Sequence, residues 1–62
     1  MTKEEMTEEL EQFYEAAGFV NYYERVLKDK TEAQIKEMYE NHIRNMEEIE
    51  KEYYEEKQNN NN

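Results

Sequence analysis

TEAQIKEMYENHIRNMEEIEKEYYEEK, residues 31–57, decides the fold. Thr31 followed by Gln34 spells a capping box, in which each side chain satisfies a backbone N–H that the first helical turn leaves without a partner. Beyond it, Ile35, Tyr39, His42, Met46, Ile49 and Tyr53 recur at alternating steps of four and three, with Met38 and Ile43 widening the stripe. That is the spacing of a helix packing seam. Neither Pro nor Gly interrupts the run, so the spacing predicts one helix of roughly 26 residues, about 39 Å long at 1.5 Å per residue.

Working outward toward the N-terminus, Lys28, Asp29 and Lys30 form a short polar connection. Before it, Phe19, Tyr22, Tyr23, Val26 and Leu27 mark a second segment from about Val20 to Lys28, with Asn21 as its cap. A first helix opens on another capping box, Thr2 with Glu5, and carries Met6, Leu10, Phe13 and Ala17 along one face with Tyr14 beside them. Gly18, the one Gly in the chain, stands where a helix C-terminus favours a left-handed residue, and Phe19 is placed to fold back on the last turn. Gln58 and the four Asn after it read as a disordered polar tail, leaving residues 1–57 as a single domain.

Folding the chain about residue 30 brings apolar positions together: Phe19 near His42, Leu10 near Ile49, Met6 near Tyr53. The economical expectation is an all-α antiparallel helical hairpin whose first arm is broken at Gly18, three helices with the third long. A structural or regulatory homo-oligomer, a dimer paired through that long helix, is the runner-up reading. In a second arrangement the first helix folds away into a compact three-helix body, and Ile49, Tyr53 and Tyr54 overhang with their apolar faces exposed.

Composition narrows the function. A chain of 62 residues buries only about 60% of the surface its unfolded form exposes, so its core is marginal. With no Cys there is no disulfide or thiolate metal site, and a partner chain becomes the expected reinforcement. Seventeen acidic against eight basic residues give a net charge of −9. Such a balance disfavours direct binding to nucleic acid or anionic membrane, which needs Lys and Arg facing phosphates. No apolar run approaches a membrane span, and the first ten residues lack the pattern of a signal peptide, so a cytoplasmic location is expected.

The charge is unevenly placed. Glu4, Glu8, Glu11 and Glu15 run along the first helix, and Glu48, Glu52 and Glu56 along the end of the third. Like charges four apart cost about 0.2–0.5 kcal/mol each, so stability alone does not explain them. In the hairpin both blocks lie at the open end, opposite the near-neutral tip. These carboxylates are the electrostatic half of a candidate binding surface for a protein with a basic face. Tyr14, Tyr22, Ile49, Tyr53 and Tyr54 are the candidate apolar anchors, for a partner or for a second copy. Carboxylates standing in for phosphates, as in a DNA mimic that inhibits a nucleic-acid-binding protein, are one version of this expectation.

Catalysis is not expected. No Ser–His or Cys–His arrangement, glycine loop or calcium loop is present, and the carboxylates lack a neighbour that would tune them for acid–base work. Met38, His42 and Met46 share one helix face, which suggests packing before a soft-metal site. No cofactor or metal is expected.

Overall fold

The computed structural model describes residues 1–59, with side chains described as far as Glu55. All its regular structure is helical, in three pieces of which the last is long: α1 (Lys3–Ala16), a single π-helical stretch (Tyr23–Leu27) and α2 (Glu32–Asn59). Both capping boxes form. The Thr2 N–H donates to Glu5 Oε1 at 3.0 Å and the Glu5 N–H to Thr2 Oγ1 at 3.1 Å. Backbone and hydroxyl donation from Thr2 holds the Glu5 carboxyl below its usual pKa. At α2, the Thr31 N–H donates to Gln34 Oε1 at 2.9 Å and the Gln34 N–H to Thr31 Oγ1 at 3.2 Å.

The end of α1 is set by Gly18. Its φ of +103° lies where a side chain would be strained. The Gly18 N–H donates to the Glu15 carbonyl at 3.0 Å and the Phe19 N–H to the Tyr14 carbonyl at 2.9 Å, the paired bonds that close a helix in a left-handed turn. Phe19 folds back as expected, its ring 5.6 Å from that of Tyr14 in an edge contact. Three residues later Asn21 is also left-handed, φ +56°, a conformation Asn tolerates better than most residues. With two such residues so close, the chain reverses completely.

The π-helical stretch follows from what must be buried. The Lys28 N–H donates to the Tyr23 carbonyl, five residues back, at 2.8 Å. In an α-helix, Tyr22 and Leu27 would point about 140° apart. The wider turn brings both inward, and they are 8% and 1% exposed. With Met6, Leu10 and Ile35 they make the core, and Tyr14, Val26, Met38 and Tyr39 pack around it.

The direction of α1 departs from the hairpin. Met6 lies in a groove with Lys36 and Tyr39, the Tyr39 hydroxyl lies near enough to Glu9 for that carboxylate to raise its pKa, and the Phe13 ring sits 4.4 Å from that of His42. Positions ascending along α1 therefore meet positions ascending along α2, so the two helices run parallel, with the π-helical stretch returning between them. Leu10 does not reach Ile49, nor Met6 Tyr53. The reason is local: the Gly18–Asn21 reversal sends the chain back along α1, so α1 cannot extend the second segment as one arm. The body is the three-helix arrangement with an overhang.

Lengths fix how far the overhang reaches. The molecule measures 49 × 23 × 13 Å. At 1.5 Å per residue the 14 residues of α1 span about 21 Å, and the 28 of α2 about 42 Å. Only the first half of α2 is covered. That helix is assigned two residues beyond the expected end at Lys57, and the rest of the expected tail, residues 60–62, lies outside the described residues.

Candidate binding surface on the overhanging half of α2

One seam changes character along its length. Ile35 is fully buried, Tyr39 and His42 are half-buried under α1, and then α1 runs out. Met46, Ile49, Tyr53 and Tyr54 are 43%, 63%, 60% and 56% exposed. With Ile43, Glu47 and Glu50 they line one shallow apolar groove. The same period that builds the core thus continues past it. Tyr53 and Tyr54 make an edge contact, ring centres 5.9 Å apart.

The expected anchors divide between core and surface. Ile49, Tyr53 and Tyr54 come together on the overhang. Tyr22 does not join them: it is a core residue, stacked on Tyr14 with ring centres 4.4 Å apart and planes 17° from parallel. Tyr14 is half-buried by that stacking, and it lies on α1, away from the overhang. Met46, Glu47 and Glu50 join the groove without having been singled out as site residues, although Met46 sits on the seam and the Glu pair borders it.

The carboxylates divide too. Glu4, Glu8 and Glu11 flank a groove between α1 and the π-helical stretch, shared with Lys3, Tyr23 and Lys28. Glu15 is exposed on the last turn of α1, and Glu48 and Glu52 are exposed on the overhang. The side chain of Glu56 lies outside the described residues. Because α1 runs parallel to α2, its acidic block lies beside the body and not with that of the overhang, so negative charge is not crowded at one end. Among the described residues one ion pair forms, Lys28 with Glu24 at 3.5 Å, both exposed and worth about 0–1 kcal/mol. Arg44 donates to Asn41 Oδ1 at 2.7 Å.

Ring packing against Phe13 and Tyr39 accounts for the position of His42. Among the described residues no group of three His, Cys, Asp or Glu could hold a metal ion, and no helix is long and apolar enough to cross a membrane.

No family model, curated protein or solved structure matches the chain.

Two phenols couple the body to pH. Burial, and then the neighbouring Tyr14, push the Tyr22 pKa above its ordinary 10.0. The hydrogen bond to Glu9, followed by burial and the Glu9 charge, does the same for Tyr39. A pKa raised by folding means a contribution fully present below the unfolded value and lost as pH rises through the folded one. The melting temperature is therefore expected to fall as the pH is raised through and above about 10, and Tyr22→Phe to shrink that fall. Thermal melts at stepped alkaline pH check this, and an unchanged alkaline profile in Tyr22→Phe would contradict it.

Proposed function

We propose that this chain is a non-enzymatic protein-binding module acting in the cytosol, an inhibitor or regulator that covers a basic surface of a larger protein. The observation that carries the reading is the exposed seam of Met46, Ile49, Tyr53 and Tyr54 set among Glu47, Glu48, Glu50, Glu52 and Glu55. Exposed apolar patches rimmed by charge mark interaction sites, and the sign of the rim selects a partner rich in Lys and Arg. Such a partner includes a nucleic-acid-binding surface, against which carboxylates would replace phosphates. The apolar stripe favours a contact that is half packing over one that is charge alone.

The same seam favours one alternative, a homo-oligomer assembled through α2. Two copies would bring acidic rims together, which is the argument for ranking it second.

The test is capture of partners from a native lysate over a salt series, with a control bait carrying Glu48, Glu52 and Glu55 as Lys. Retention is expected to weaken steeply with salt, since attraction is screened within about 8 Å at physiological ionic strength. The control bait is expected to lose the same proteins. Equal retention by both baits would make the acidic rim irrelevant.

A further inference from the structure

We infer that the partner presents a basic amphipathic helix, laid along the overhang in the place α1 would occupy if it were longer. This rests on the proposed function and adds the shape of the partner. α1 already shows how the seam is covered: Met6, Glu9 and Phe13 lie against the turns of Lys36, Tyr39 and His42. Met46, Ile49 and Tyr53 continue the seam of Ile35, Tyr39 and His42 at the same alternation of steps of three and four, so the surface beyond α1 has the same helix-receiving form.

The borders then choose the helix. Taking 100° per residue, Glu50 lies about 70° to one side of the line through Met46, Ile49 and Tyr53, and Glu52 about 90° to the other. Arg44 and Lys51, the two cations between Ile43 and Glu55, lie about 165–175° from that line, on the back of the helix. The seam thus has a carboxylate on each side, Glu52 just beyond Asn45 and Glu50 between the seam and Tyr54, with its own cations facing away. A helix carrying Lys or Arg beside an apolar stripe meets those carboxylates with opposite charge. A second copy brings Glu to Glu. From Met46 to Glu55 the seam runs about 15 Å, which matches roughly three turns of a partner helix.

The test titrates the full chain into three labelled synthetic peptides, read by fluorescence anisotropy. One has Leu and Lys at helical spacing, the second has the same residues scrambled, and the third carries Glu in place of Lys. The spaced Leu–Lys peptide is expected to bind at least about tenfold more tightly than the scrambled one, and the Glu peptide not at all. A double variant, Glu50→Lys with Glu52→Lys, is expected to lose at least about tenfold for the Leu–Lys peptide with an unchanged melting temperature. Equal binding of the spaced and scrambled peptides, full binding by the double variant, or sedimentation of the chain alone as a dimer would each overturn the inference. Salt-sensitive lysate capture that persists while the two Lys peptides bind alike would leave the broader reading standing and remove only the helix.

Discussion

Ile35→Ala is expected to remove roughly half of the chain's folding stability. Ile35 has no exposed surface and belongs to the core with Met6, Leu10, Tyr22 and Leu27. Truncating a buried Ile costs about 2–5 kcal/mol, because the removed carbons lose their transfer energy and the neighbours collapse only partly into the gap. At roughly 0.05–0.15 kcal/mol per residue, a chain of 62 residues has about 3–9 kcal/mol in total. One substitution at this position therefore removes roughly half of that. Ile49→Ala, the same chemical change on the same helix, is expected to stay within about 0.5 kcal/mol of the parent, because Ile49 is mostly exposed. Urea unfolding followed by far-ultraviolet circular dichroism measures both. Comparable losses at the two positions would mean that α1 covers Ile49 as a hairpin arm.

The second large effect falls on binding. Ile49→Asp combined with Tyr53→Asp is expected to abolish partner capture while the body melts as before. Both side chains are mostly exposed, and neither belongs to the core. Central apolar anchors at interfaces cost at least about 2 kcal/mol when removed, roughly thirtyfold in affinity. The substitutions also add negative charge to a surface proposed to meet a basic one, so the variant should fail at every salt concentration. Capture of the same proteins by parent and variant, with equal melting temperatures, would remove the overhang as the binding surface. If capture is lost and the melting temperature also drops sharply, the overhang is structural.

Much of the fold was legible because it is written in local chemistry. Thr2 with Glu5 and Thr31 with Gln34 name their helix starts, and Gly18 with Phe19 names a helix end. The uninterrupted steps from Ile35 to Tyr53 name the long helix. The direction of α1 was not legible, because its apolar positions fit either half of that seam. Leu10 can be written opposite Ile49 or placed in the core beside Ile35 without leaving an apolar residue of α1 unmatched. What decides is the backbone at Asn21, which reads as an ordinary cap until its left-handed conformation joins that of Gly18. The π-helical stretch was hidden for a similar reason: Tyr22, Val26 and Leu27 look like an α-helical stripe, and only burying both Tyr22 and Leu27 calls for the wider turn.

The candidate surface followed from this choice of direction. Ile49, Tyr53 and Tyr54 were readable as anchors in either arrangement, but whether α1 covers them depends on which way it runs. The stacking of Tyr14 on Tyr22 was not readable, because neighbouring aromatics (Phe13 with Tyr14 on α1, Tyr22 with Tyr23 on the short segment) give no sign of which ring turns inward. It comes from the tight reversal between Tyr14 and Tyr22.

The most direct measurement is a nuclear Overhauser spectrum of the full chain. Cross-peaks between the ring protons of Phe13 and His42, and from Met6 to Tyr39, are expected, with none from Leu10 to Ile49. Cross-peaks linking Leu10 with Ile49 and Met6 with Tyr53 would put α1 on the far half of α2 and leave no exposed seam to bind anything.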